Sequence, residues 1–329
     1  MEYRALNKYL QPLEDVFAEE GVNEISINQP KEIWKEKQGN ITKHRVEALS
    51  LVHLKGLAQL IAQSTEQVIN EEHPLLSATL PNGYRVQVVH PPACDPKTVA
   101  MSIRKPSPLK MTLEDYKKGG MFDNVKLEDA IDDEMIMLQN LIKEHNVYEF
   151  LRKSVLLKKN IIISGGTSTG KTTFTNALLR TIPSDERLIT AEDAREIELS
   201  DHENSVHLLA SKGGQGRSKV SIQDLIEACL RLRPDRIIVG ELRGAEAFSF
   251  LRAINTGHPG SISTLHADNP KMALEQLKLM VLQAGLGITQ EQVMDYIIHV
   301  VDAIVQLKRE KGGRRFVSEI LFTHELRNK

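Results

Sequence analysis

Gly165-Gly166-Thr167-Ser168-Thr169-Gly170-Lys171-Thr172 follows the apolar run Ile161-Ile162-Ile163 directly and leads into a helix-like stretch from Thr173 to Arg180. The spacing satisfies G-x-x-x-x-G-K-[ST] at every position, and strand, loop and helix signals arrive in the order that a phosphate-binding loop requires. Glycine lets such a loop curl until several backbone N–H groups point at one phosphate, and the helix that follows adds the positive end of its dipole. Residues 165 to 173, ending with Thr173, therefore read as the cradle of a nucleoside triphosphate. Lys171 is expected at the β- and γ-phosphates of ATP, and the Thr172 hydroxyl at Mg²⁺.

The rest of the chain is long enough for more than this one motif. Its 329 residues, 41% of them apolar, suggest two domains with packed cores. Lys and Arg (42) nearly balance Asp and Glu (44), so no global basic field points to nucleic acid as the main partner. Cys94 and Cys229 lie far apart and form no C-x-x-C pair, which suits a reducing cytosol and small core residues better than a disulfide scaffold. The opening Met1-Glu2-Tyr3-Arg4 leads into mixed polar sequence without the apolar core of an export signal. No run approaches the roughly 18 consecutive apolar residues of a membrane span, so any membrane contact is expected to be peripheral.

Residues 1 to about 105 read as a small α+β unit. Glu24–Ile27 and Glu32–Glu36 alternate at period two, and Leu49, Val52, Leu57, Leu60 and Ile61 fall near one face of a helix ending at about Ser64. Leu76–Leu80, the Asn82-Gly83 turn, Tyr84–Val89 and Thr98–Arg104 read as a hairpin and a further strand, giving a sheet with helices on one side. From Pro106 to about Asn146 the texture changes. Two prolines, Gly119-Gly120 and the acidic run Glu128–Glu134 suggest a long linker carrying helical pieces. Residues 147 to 329 alternate apolar strands with helices, the pattern of a parallel sheet covered on both faces, and the predicted class is α/β.

Three further clusters lie in that second half. Arg187–Asp193 is a short strand ending in the adjacent carboxylates Glu192 and Asp193, with Glu196 and Glu198 shortly after, on the rim where open α/β sheets bind ligands; taken alone it reads first as an acidic surface loop. On the rim, such carboxylates would hold Mg²⁺ through water or position the attacking water. Arg236–Glu241 is an apolar strand ending in Glu241, like a Walker B segment whose metal-binding aspartate is replaced by Gly240. That replacement leaves Glu241 to polarise water and shifts metal binding to Thr172, the phosphates and the Glu192-Asp193 pair. Thr256–Ala267 encloses a buried strand, Ser261 to Leu265, between His258 and His266. His266 leaves it on the phosphate side; taken alone a strand-end histidine reads first as structural, and a hydrogen bond from it to the γ-phosphate or Glu241 rests on the resemblance given next. No ligand set at zinc spacing accompanies either histidine.

These stretches together resemble the Walker A (165 to 173), Asp-box (189 to 193), Walker B (233 to 243) and His-box (256 to 267) motifs of the secretion ATPases, which drive type II secretion, type IV pili and type IV secretion. Within that superfamily the chain most resembles the hexameric traffic ATPases of bacterial type IV secretion systems, in the conjugative-plasmid-like branch. The N-terminal half shares in the likeness through residues 76 to 89, Pro91–Cys94 and Ser102–Ser107.

The resemblance implies a C-terminal RecA-like P-loop NTPase domain behind a smaller α+β, PAS-like N-terminal domain. It further implies ATP hydrolysis with Mg²⁺, a homohexamer, and nucleotide held between the two domains. Partners would be inner-membrane components and other ATPases of the secretion system, with DNA only as transported cargo. The expected location is cytoplasmic, peripheral to the inner membrane. The positions matching the family's phosphate-reaching arginines are Arg85 and Arg104, and strand alternation takes both off the apolar face.

The alternatives are a pilus-retraction or type II secretion ATPase, a DNA-handling motor, and a non-hydrolysing scaffold. Two scattered cysteines cannot build the four-cysteine zinc module usual in type II assembly ATPases, although the retraction branch lacks it too. Glu241 argues against the scaffold and the near-neutral charge against the DNA motor. Lys212–Lys219 reads as a loop facing a ring pore or a neighbouring subunit, or as plain surface. Lys308–Arg315 reads as a basic hairpin tip between two strands, solvated or set against acidic lipid or a partner protein.

Overall fold

The computed structural model describes residues 3–106, 111–125, 132–211 and 218–327. The N-terminal lobe contains α1 (Arg4–Ala18), β1 (Val22–Ile27), β2 (Glu32–Lys37), β3 (Asn40–Arg45), α2 (Leu51–Ser64), β4 (Leu75–Thr79), β5 (Arg85–Val89) and β6 (Ala100–Arg104). Its strands form one antiparallel sheet in the order β3-β2-β1-β6-β5-β4. Ser50 accepts from the His53 N–H and caps α2, whose Leu54, Leu57 and Ile61 enter the core beneath the sheet.

Two elements here carry little signal in the sequence. Helix α1 presents only a narrow apolar stripe, Leu6, Leu13 and Phe17, amid polar residues. Strand β3 is an edge strand exposed at nearly every position, so no alternation marks it.

Helix α3 (Leu113–Lys118) is closed by a Thr112–Asp115 capping box and buries none of its side chains. Helix α4 (Asp133–Lys143) instead buries Met135 and Leu138 in one cluster with Phe150 and Val155 of α5 (Val147–Leu156). Most of the acidic run anticipated from Glu128 lies outside the described residues.

The C-terminal lobe continues with β7 (Ile161–Gly165), α6 (Lys171–Leu179), β8 (Leu188–Glu192), β9 (Ser205–Leu209), α7 (Ile222–Leu232), β10 (Arg236–Val239), α8 (Glu246–Asn255), β11 (Ile262–Leu265), α9 (Pro270–Leu282), α10 (Gln290–Val300), β12 (Ala303–Arg309) and β13 (Arg315–Phe322). Its strands run β13-β12-β7-β11-β10-β8-β9, all parallel except the β12–β13 hairpin. One apolar cluster lies on each face of this sheet, which is why β7, β8, β10 and β11 are buried at every position and why Ile161-Ile162-Ile163 and Ile237-Ile238-Val239 are unbroken apolar runs. The mixed α/β class with its largely parallel second sheet is the one anticipated.

The lobes are joined across a buried seam. Val89, Ala93, Cys94 and Ala100 of the first lobe belong to the same apolar cluster as Leu225 and Cys229 of α7. The Leu209 N–H donates to the Ala93 carbonyl at 2.9 Å, continuing the edge of the second sheet into the first lobe. At the centre lies Arg187, fully buried, donating through Nη1 to Asn28 Oδ1 (2.7 Å) and to Asn204 Oδ1, and through Nε to the Leu232 carbonyl. Burial lowers its pKa to about 10. Both cysteines are buried and unpaired by any disulfide, their thiols pushed up to about 12 by desolvation. Among the described residues no helix is long and apolar enough to cross a membrane.

Candidate functional site

The phosphate-binding loop leaves the C-terminal end of β7 and closes onto the first turn of α6. Gly170, the N-cap, sits in the left-handed region at φ 89°, where a side chain would be strained. Parallel alignment brings the ends of β8, β10 and β11 to the same rim, through the pairs Ala191↔Val239, Val239↔Ser263 and Leu265↔Ser164. The result is a cleft of about 340 Å³ that gathers Thr167 to Thr173, Glu192, Asp193, Glu196, Glu241, Arg243 and His266. Gly165 and Gly166 do not line it themselves; their carbonyls accept from Lys171 Nζ at 3.0 and 3.4 Å.

Lys171 Nζ also lies 3.4 Å from the His266 ring nitrogens, and His266 Nε2 lies 3.4 Å from Glu241 Oε1. Half-burial lowers the Lys171 pKa, opposed by the Glu241 charge. Desolvation by itself would raise the Glu241 carboxyl. The hydrogen bond and charge of Arg243, with His266 and Lys171, more than offset it and hold the group below its ordinary value. Glu241 is therefore held as a carboxylate on the wall of the cleft, between Arg243 and His266.

Glu192 occupies a different situation. It is buried, accepting from the Glu196 and Ile197 N–H groups at 2.9 and 2.8 Å and from the Thr190 hydroxyl at 2.9 Å. It anchors the loop that carries Glu196, and Glu196 Oε2 accepts from Thr172 Oγ1 at 3.0 Å. Asp193 pairs with Arg243 Nη1 at 2.6 Å, while Arg243 Nε reaches Glu241 at 2.9 Å. Among the described residues no cluster of three or more His, Cys, Asp or Glu side chains is arranged to hold a metal. The hydroxyl of Thr172 and the carboxylate of Glu196 are hard oxygen donors that suit Mg²⁺ when phosphate oxygens and waters complete its shell.

Arg85 and Arg104 do not enter this cleft. They are cross-strand partners on β5 and β6, both exposed, and they line a separate concavity with Glu24, Glu36 and Arg233. A larger cavity of about 830 Å³ opens between the lobes around Asn28, Asp95, Arg195 and His202. It has no phosphate loop and touches the cleft only through the Glu196–Ile197 segment.

Sequence reasoning left Arg243 out of the site and placed Glu196 only among the carboxylates after the Glu192-Asp193 pair, not against Thr172. Arg243 carried one signal, its place two residues beyond Glu241 on the same rim. The partner of Thr172 carried none, because 24 residues separate it from Glu196. Residues 212–217 of the glycine-rich loop lie outside the described residues. His258 is structural, its Nδ1 meeting the Pro234 carbonyl at 2.8 Å.

Comparison with known proteins agrees with this geometry. Residues 7–319 match the type II/IV secretion system protein family. The chain is 37% identical over 328 residues to the type IV secretion system protein VirB11 of Bartonella henselae, covering 95% of this chain and 91% of that one. It is 38% identical over 328 residues to the type IV secretion system protein PtlH of Bordetella pertussis, covering 95% and 94%. The crystal structure of the VirB11 ATPase from the Brucella suis type IV secretion system, in complex with sulphate, superposes with a TM-score of 0.91 over 97% of each chain at 36% identity. Phosphate loop, shared rim and full-length likeness together lead to one conclusion: the chain belongs to the type II/IV secretion system protein family, among its VirB11-like secretion ATPases.

Proposed function

We propose that this protein hydrolyses Mg-ATP in the cleft above Lys171 and that the reaction powers transport through a type IV secretion system of the conjugative kind. The observation that carries the reading is the convergence of Lys171, Glu241 and His266 within 3.4 Å contacts at the mouth of a complete phosphate loop. The loop amides and Lys171 hold the phosphates, and Thr172 with Glu196 faces the metal, which would neutralise charge on the phosphates. Glu241 directs the attacking water, and His266 links Glu241 to the γ-phosphate end. Glu192 acts by holding the Glu196 loop. Asp193 reaches the metal shell only when Arg243 releases it.

Residues 1–105 and 147–329 form the two working domains, joined by the segment 106–146. The chain works as a homohexamer at the cytoplasmic face of the inner membrane, in contact with other components of the secretion system, and DNA meets it only as cargo. Arg85 and Arg104 serve the phosphates from the N-terminal domain. Because they stand apart from the cleft of their own chain, that role calls for a neighbouring subunit or for domain closure.

The test is phosphate release by Lys171→Ala and Glu241→Gln. Lys171→Ala is expected to lose both nucleotide binding and turnover, and Glu241→Gln to bind Mg-ATP while hydrolysing it at least about 100-fold more slowly. Near-normal release from Lys171→Ala overturns the assignment.

A further inference from the structure

The basic hairpin tip reaches the phosphate loop. Arg315, the first residue of β13, donates through Nε to the Ser168 carbonyl at 3.1 Å. Its Cδ lies 2.9 Å from where a Cβ on Gly170 would stand, so the side chain rests directly on the N-cap of α6. We propose that Arg315 binds the α-phosphate of the nucleotide, a role that rests on the reading of the cleft as an ATP site.

The order of the sheet sets the direction of the ligand. Glu192, Glu241 and His266 come from the ends of β8, β10 and β11, all on one side of β7, whereas β12 and β13 lie on the other. Lys171 turns toward His266, so the γ-phosphate end faces β11 and the nucleoside end of the triphosphate faces the hairpin. Arg315 is the cation waiting on that side.

Its chemistry fits an anion better than a base. With Nε engaged on a carbonyl, the two terminal nitrogens of Arg315 have no protein partner among the described residues, and they form the planar fork that matches phosphate oxygens. In the hairpin register Arg315 lies opposite Arg309, and among the described residues no carboxylate pairs with either. Like charges placed opposite one another repel, and an anion bound beside them removes the penalty. The neighbouring cation of β12, Lys308, is by contrast already neutralised, since it meets Glu319 at 3.2 Å.

The experiment is calorimetric titration of Mg-ADP and of Mg-tripolyphosphate into the wild type, Arg315→Ala, Arg315→Lys and, as a neighbouring control, Arg314→Ala, with kcat measured at saturating ATP. Arg315→Ala should weaken both ligands by about 10-fold or more with kcat nearly unchanged, Arg315→Lys should recover part of the loss, and Arg314→Ala should bind like the wild type. Weaker ADP binding with tripolyphosphate unaffected would mean contact with the base and would overturn the proposal. A loss of kcat at unchanged ADP affinity would move Arg315 to the γ-phosphate, and unchanged affinity with a lowered Tm would make it structural; either overturns it. Lys171→Ala in the same titration separates the two readings. If it loses both ligands while Arg315→Ala keeps them, only the Arg315 assignment falls; if Lys171→Ala binds normally, the ATP site itself falls.

Discussion

The Cβ that Gly240 lacks would stand 3.3 Å from Cγ of Glu192 and 3.6 Å from its Cβ. The side chain of Glu192 thus fills the space that a Walker B aspartate at position 240 would need. Glycine at 240 and glutamate at 192 are two halves of one arrangement, in which the carboxylate comes from the neighbouring strand β8.

Glu192 cannot step aside easily, because three hydrogen bonds fix its carboxylate. Gly240→Ala is therefore expected to displace it and the Glu196 loop, costing about 1–3 kcal/mol of stability and lowering kcat by roughly 10-fold. Chemical denaturation and phosphate release read the two effects. Wild-type kcat in Gly240→Ala would show that the Glu192 position does not matter for turnover.

Arg243 is the main group holding the Glu241 carboxyl below its ordinary 4.5, against desolvation that pushes it upward. Arg243→Ala leaves desolvation less opposed, so the Glu241 pKa rises. A group that must be ionised to act on water is then protonated at higher pH, and the acidic limb of the kcat profile moves upward relative to the wild type. Profiles from about pH 5 to 8 check this, and an acidic limb that stays in place removes Glu241 from the role of base.

Arg236 is fully buried and donates through Nε and Nη2 to the two carboxylate oxygens of Glu186, at 2.8 and 2.7 Å. Desolvation raises the Glu186 carboxyl, but Arg236 and Lys158 bring it below its ordinary 4.5. A carboxylate lowered in the folded state binds protons more readily when unfolded. Its stabilisation is complete above 4.5 and is lost as pH falls through the lower folded value. Glu186→Gln strands the buried arginine, and a loss of about 3–5 kcal/mol at neutral pH is expected, with a shallower fall of stability in acid than in the wild type. Urea titrations at several pH values measure both.

Arg187 ties Asn28 of the first lobe to Asn204 of the second. Arg187→Leu leaves both amides without that partner, and a destabilisation of about 3 kcal/mol is expected, with thermal unfolding resolving into two calorimetric steps as the lobes uncouple. A single step at a lower Tm would show that the apolar seam alone couples them. Asn28→Ala should act in the same direction with a smaller effect.

Much of the fold was legible because its signals are local. Ile161-Ile162-Ile163 and Ile237-Ile238-Val239 are unbroken apolar runs, and only strands covered on both faces call for them. Helix α1 and strand β3 were not legible. The first buries a thin stripe and the second almost nothing, so neither imposes a period on its residues.

The sequence by itself determined the phosphate loop, because tight backbone curvature and a helix N-terminus are encoded by adjacent glycines and the Lys171-Thr172 pair. It also determined which strands end in carboxylates and histidine. Tertiary structure alone decided that Glu196 meets Thr172, that Arg243 bridges Asp193 and Glu241, that Arg315 covers Gly170, and that Arg85 and Arg104 stay outside the cleft. Those outcomes depend on the spatial order of the strands, which sets Thr172 beside Glu196, Asp193 beside Arg243 and Ser168 beside Arg315 across 24, 50 and 147 positions, and the period of a single strand or helix carries no record of that order.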